Sequence, residues 1–359
     1  MMKKIPGAAF LLLAAAACTA PSGPGKDIAP AVLEILEDRG GEEFALLSSY
    51  SQVSSFSDIY VLGSPEDCAF YSDNLTSCDR RDNVDGRHHP DGLPDFAGEN
   101  IVSVRKSFGL DSASDSSEVA AMRNSMVNLV LRSLQRSYHM SDYDSDGLGE
   151  KAPAKIIILA DPAADACCLP DLDSLFRGSG CAVELVSPIE TALAASGKNL
   201  SRVGFAVADS LKDASFCRKA LERLAPGAEC FVADSCATAF PLRTFIDRSG
   251  LKGPLDCIIV LDPEVSALSC REDLSLISSV MNEEYLAYGK FIPAHFRCTI
   301  ASEAVSDRCT DALRARNLFT HNVSFPTSDI YAVRPSPVEG EEDVLVQTRF
   351  VIPSANVQD

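Results

Sequence analysis

The sequence predicts an α/β protein of two lobes, each built on a mainly parallel sheet flanked by helices. Residues 156–160 form a continuously apolar run that fits a strand buried on both faces, and 182–186, 203–207, 230–233 and 256–261 read as further strands. Stretches of helical spacing near 172–176, 189–195, 211–224 and 239–249 separate them, and strand–helix alternation at this interval builds right-handed βαβ units. The rhythm is interrupted near 187–200, which divides it into two lobes.

The remaining elements follow in order. Residues 27–37 place Ile28, Val32, Ile35 and Leu36 on one helical face, and Gly40-Gly41 ends that helix. The short apolar runs 44–47, 59–62 and 101–104 read as strands. Ser and Asp at 111–115 offer caps to a helix over 119–138 that carries Met122, Met126, Leu129, Val130 and Leu134 at helical spacing. A polar linker over 141–153 leads into the regular alternation. Beyond residue 269, the stretch 274–288 reads as a helix and 331–333 and 344–346 as late strands. Ser57-Asp58-Ile59-Tyr60 recurs as Ser328-Asp329-Ile330-Tyr331, too short a match to establish a repeat. The organisation expected is a leader over 1–17, a tether over 18–26, a first lobe over 27–150 completed by 151–200, and a second lobe with a C-terminal segment over 201–359.

Between two of these strands lies residues 78–100, with five Asp, one Glu and two His and almost no apolar content. A polar loop of this length is either functional or a solvated insertion. His88, His89, Asp82 and Asp85 supply the nitrogen and oxygen donors that zinc accepts, and its carboxylates alone suit calcium. No His-Glu-x-x-His or EF-hand spacing organises them, and turn formation at the Asp-Gly and Asn residues is the plainer reading. Asp142, Asp144, Asp146 and Gly147 open a calcium-loop pattern, but Pro153 stands where the bidentate Glu belongs. His139, His295 and His321 are isolated.

Polar residues at the C-terminal ends of buried strands are the better candidates for a ligand site in an open α/β sheet. Asp161, Asp209, Asp234 and Asp262 hold such positions, with Asp91 and Asp95 of the polar loop at the rim; helix capping is the competing role. No Gly-x-Gly-x-x-Gly, Walker loop or Gly-x-Ser-x-Gly is present, so neither a nucleotide cofactor nor a serine elbow is supported.

Apolar residues make up 46% of the chain, enough for real cores, and the formal net charge of −19 argues against nucleic acid as a partner. Of thirteen Cys, Cys68 and Cys78 are the most favourable local pair for a disulfide, and most others read as small buried hydrophobes.

Two resemblances add to this. Residues 201–207, the helix with Ala220-Leu221, the strand ending at Asp234, the helix ending at Arg248-Ser249-Gly250 and the run from Pro254 to Val260 resemble the second lobe of type I periplasmic binding proteins, over roughly residues 155–262. That resemblance implies a small solute or glycan-derived ligand held between two lobes. It transfers no ligand residue, because the polar loop departs from the pattern in the first lobe. At the N-terminus, Lys3, Lys4 and an apolar run over 8–17 precede Ala15-Ala16-Ala17-Cys18, which resembles the lipobox of bacterial lipoproteins with Ala15 in place of the usual Leu. It implies lipidation at Cys18 and a tether to a membrane of the cell envelope, on the periplasmic or outer-membrane surface. An ordinary secretory signal cleaved near Ala17 or Ala20 is the alternative. The expected function is therefore a tethered solute-binding lipoprotein, against a metal-assisted hydrolase working through loop 79–99 or a structural lipoprotein.

Overall fold

The computed structural model describes residues 28–106, 116–140, 147–209, 215–280, 282–320, 322, 324–336 and 343–348. Cys18 with the leader and tether, the helix entry at 111–115, Asp142, Asp144 and Asp146 of the calcium-like pattern, and His321 lie outside them.

Chain order is α1 (Pro30–Glu37), α2 (Glu42–Ser49), β1 (Asp58–Gly63), α3 (Pro65–Ser77), β2 (Asn100–Arg105), α4 (Ser116–Leu134), β3 (Ser137–His139), β4 (Leu148–Glu150), β5 (Ala154–Leu159), α5 (Pro162–Ser179), β6 (Glu184–Val186) and α6 (Pro188–Ser196). Then come β7 (Arg202–Ala206), α7 (Ser215–Leu224), β8 (Glu229–Ala233), α8 (Pro241–Arg248), β9 (Cys257–Val260), α9 (Ala267–Ser278), α10 (Glu283–Tyr288), β10 (Arg297–Ile300), α11 (Ala301–Arg316), β11 (Thr327–Arg334) and β12 (Val344–Gln347). The α/β architecture expected from the sequence is present, as two sheets. The first runs β4-β3-β12-β11-β2-β1-β5-β6 and the second β10-β9-β7-β8. The five strands from β11 to β6 are mutually parallel, as are all four of the second sheet.

Strand periodicity explains how the sheets pack. Ile59, Val61, Ile156 and Ile158 face one way and join Val203, Phe205, Cys257 and Ile259 of the second sheet in a single core, which α3, α6, α7 and α11 fill. Tyr60, Leu62, Ile157 and Leu159 face the other way, under α1, α2, α4 and α5. Ile258 and Val260 back onto α8 and α9. Helices therefore occupy the space between the sheets.

Four expectations are corrected. Residues 44–47 belong to a helix, α2, because Glu42 and Glu43 supply a favourable acidic first turn and only Leu47 is fully buried, where a core strand would bury more. The stretch 274–288 is two helices, parted where Asn282 caps α10 by accepting from the Tyr285 amide. Cys68 and Cys78 are free thiols; they stand at opposite ends of α3, about 15 Å apart along the axis, beyond any disulfide. Finally, the loop after α3 lies at the N-terminal edge of the first sheet and rims no strand-end site, because a β1–α3–β2 crossover must carry the chain back to where β2 starts.

That loop is an ordered structure. Asp95 is buried and accepts from the Arg80 and Arg81 amides at 3.1 and 3.0 Å. Arg80 reaches Asp307, and Arg81 reaches Asp307 and Asp311, so the loop is fastened to the acidic face of α11. The late strands β11 and β12 return to the first sheet beside β2. There Asn100 donates to both Asp58 and Asp329, so the two copies of the repeated tetrapeptide flank one strand.

Candidate active site

In each sheet the chain order reverses about one strand, which opens a crevice at the strand C-terminal ends. In the first sheet β2 and β5 lie on either side of β1; in the second β8 and β9 lie on either side of β7. The two strand ends lie within electrostatic reach of each other, since the Asp262 charge at the second helps to raise a carboxyl at the first, Asp67.

The first crevice is narrow. A Cβ on Gly63, the last residue of β1, would stand 2.9 Å from the Asp161 amide nitrogen after β5, so only glycine admits this approach. Ser64 then caps α3: its Oγ accepts from the Asp67 amide at 3.1 Å and donates to Asp67 Oδ2 at 2.6 Å, with Pro65 at the first helical position. This pins the Asp67 carboxyl at the strand end. Burial pushes it up to about 7, the Ser64 hydroxyl opposes the rise, and the charges of Asp161, Glu66 and Asp262 add to it.

Asp161 accepts from the Ala163 and Ala164 amides, both at 2.9 Å, and caps α5; burial raises it and those bonds partly restore it. Asp262 is buried, accepts from the Glu264 amide at 2.9 Å, and is also raised, first by burial. Of the strand-end carboxylates expected from the sequence, Asp161 and Asp262 each lie within electrostatic reach of Asp67. Asp209 accepts from Ser235 Oγ at 2.6 Å at the exposed margin, close enough to Asp262 to repel it. Asp234 is exposed and paired with Arg248 at 3.7 Å, outside the cluster.

Asp67 is not among the positions expected from the sequence. The rule that selected Asp161 and Asp262 selects Ser64-Pro65-Glu66-Asp67 equally well, as a capping box directly after the buried strand 59–62. Asp91 and Asp95 are far from the strand ends: Asp91 accepts from the Asn83 and Leu93 amides and shapes the loop.

The donors proposed for a metal do not converge. Asp82 Oδ1 accepts from the Val84 and Asp85 amides, Asp85 accepts from the Arg87 amide, and His89 stands 3.9 Å from Asp82 Oδ2 at the exposed surface. Among the described residues no group of three His, Cys, Asp or Glu side chains is placed to hold an ion. Thiolate chemistry is not supported either. Burial drives the Cys68 thiol strongly up, and it pushes Cys78 and Cys236 to about 12 and Cys230 and Cys257 to about 11.

Raised carboxyls carry a sign for stability. Asp58 at about 6 and Asp67 and Asp165 at about 7 hold protons more tightly folded than unfolded, each mainly through burial. Their contribution is full below the unfolded value near ~4 and is lost as pH rises through 6 to 7. Lys151, lowered by burial to about 7, changes its own contribution mainly above that window. Thermal melts should therefore show a higher Tm at pH 5 than at pH 7, by several degrees. Asp165→Asn should shrink the difference. A Tm that rises from pH 5 to pH 7 contradicts this assignment.

No protein-family model matches the chain, and no curated protein matches its sequence. Similar solved structures include glutamate racemase isoform RacE1 from Bacillus anthracis, 13% identical with a TM-score of 0.47, over 77% of this chain and 89% of that one. Glutamate racemase from Thermus thermophilus, in complex with β-chloro-D-alanine, is 13% identical with a TM-score of 0.47, over 79% and 90%. That from Francisella tularensis, in complex with D-glutamate, is 13% identical with a TM-score of 0.42, over 78% and 89%. This likeness shows the α/β fold alone. The expectation of a solute-binding lipoprotein is corrected: residues of both sheets form one hydrophobic core where a solute cleft was expected.

Proposed function

We propose that the protein is an enzyme that moves a proton on an amine-bearing small molecule at the switch point of the first sheet, with Asp67 as the general acid–base. One observation carries this reading: a carboxyl fixed by Ser64 at a strand end and pushed up to about 7. A group so placed is nearly half-protonated at neutral pH, the condition in which proton transfer in both directions is most effective. Asp161, Asp262 and Asp209 give the surroundings a negative potential, which favours a cationic substrate. Incubation in D2O with a panel of amino acids, polyamines and other amines, read by proton NMR, should show C–H exchange or conversion of one compound. Asp67→Asn, still melting cooperatively, should show none. Absence of both exchange and thermal stabilisation across the panel sinks the proposal.

We also infer a lipid anchor at Cys18, on the relaxed lipobox and the charged and apolar segments before it. Among the described residues no helix is long and apolar enough to cross a membrane. Cys18→Ser should release the protein from the membrane fraction; a variant that still sediments with membranes removes the anchor.

A further inference from the structure

Cys270 and Cys298 face one another within a single apolar cluster. In α9, Cys270, Leu274 and Ile277 recur at spacings of three and four residues and form the stripe that packs inward. In β10, Cys298 and Ile300 are two residues apart and so share a face, and that face meets the same cluster. The two thiols come within hydrogen-bonding reach of each other. Cys270 is buried, whereas Cys298 is partly exposed, on a strand at the edge of the second sheet. A small reagent can therefore reach one sulfur from solvent and find the other behind it.

The other neighbouring thiols differ. Cys217 and Cys230 sense each other only through charge, as do Cys78 and Cys309. Cys236 shares the cluster, but its thiol donates to the Ala233 and Asp234 carbonyls at 3.8 and 3.4 Å. The chain between Cys270 and Cys298 is also loosely held: α10 buries none of its residues, and Leu276, Val280 and Leu286 are exposed. A covalent link across that excursion restricts the unfolded chain and ties down its two ends.

We infer that Cys270 and Cys298 are a disulfide-forming pair that staples α9 to β10 when the protein meets a small-molecule disulfide. The Cys298 thiolate, its proton lost to water, attacks one sulfur of that reagent, and the S–S bond breaks to release one thiolate. Cys270 then loses its proton in turn and attacks Cys298 Sγ, releasing the second. The two protons end on the released thiolates, so two protein thiols are oxidised and one disulfide is reduced. The contact with Cys270, burial and the Glu303 carboxylate hold the Cys298 thiol well above its ordinary value, with Arg271 opposing them. Attack is therefore slow near neutral pH, and the pair is a structural staple, not a catalytic dithiol. It stands independently of Asp67.

The full chain, reduced, incubated with excess oxidised glutathione, quenched in acid and alkylated, is mapped by peptide mass spectrometry. A cross-linked peptide joining positions 270 and 298 should appear, at a rate that rises about tenfold per pH unit between pH 7 and 9. The oxidised protein should melt several degrees higher, a gain that reductant removes. Cys298→Ser should leave Cys270 as a free, alkylated thiol. Both positions alkylated after prolonged oxidation at pH 9 overturns the proposal. So does a link from either position to Cys236 in place of the other, or an oxidised protein that melts no higher than the reduced one.

Discussion

Replacing Lys155 by Met lowers the stability of the fold by about 3–5 kcal/mol, the usual cost of stranding one member of a buried ion pair. Lys155 and Glu99 are both wholly buried, with Nζ 2.5 Å from Oε2. The ammonium also donates to the Ser55 and Leu318 carbonyls at 2.9 and 3.0 Å, and Glu99 accepts from the Thr320 amide at 2.7 Å. The pair therefore joins the start of β5, the entry to β2 and the segment after α11, where the chain crosses back from the second sheet to the first. Met fills the stem but leaves the Glu99 charge without its partner. The double variant Lys155→Met with Glu99→Leu should recover most of the loss. Urea unfolding of the four proteins measures this directly; a single variant within about 1 kcal/mol of the parent would mean that water or another cation serves Glu99.

Asp67→Asn should lower turnover of whichever amine is converted by about 10²–10⁴-fold, the range that general acid–base catalysis supplies. The amide still fits beside Ser64 and removes a desolvated charge, so the fold should be no less stable above pH 7. Asp161→Ala is the contrasting change: it removes the α5 cap, at about 0.5–2 kcal/mol, with a smaller effect on turnover. The two positions thus separate a group that moves a proton from one that shapes the crevice.

Much of this was legible in the sequence, and the failures share a cause. Runs such as 156–160 and 203–207 announced buried parallel strands because burial on both faces leaves no polar alternation to disguise them. The run 44–47 misled because four apolar residues fit a strand or a helix face equally well. The helix α11 gave no signal of its own: its buried face is made of Ala301, Ala304, Val305, Cys309 and Leu313, small residues that suit a helix pressed between two sheets. Residues 78–100 drew attention by composition, yet their carboxylates serve turns and the ion pairs with α11, which is what a long return loop needs. The proposed site lies in the plainer sequence Gly63-Ser64-Pro65-Glu66-Asp67. Its importance depends on which strands end beside it, and strand order is a tertiary fact that local pattern does not encode.

The proposed proton transfer depends on the state of one carboxyl. Carbon-detected NMR titration of the Asp67 side chain, assigned by its loss in Asp67→Asn, should give a midpoint near pH 7 that falls when a bound amine stabilises the carboxylate. A midpoint near ~4, unmoved by any amine that binds, would contradict it.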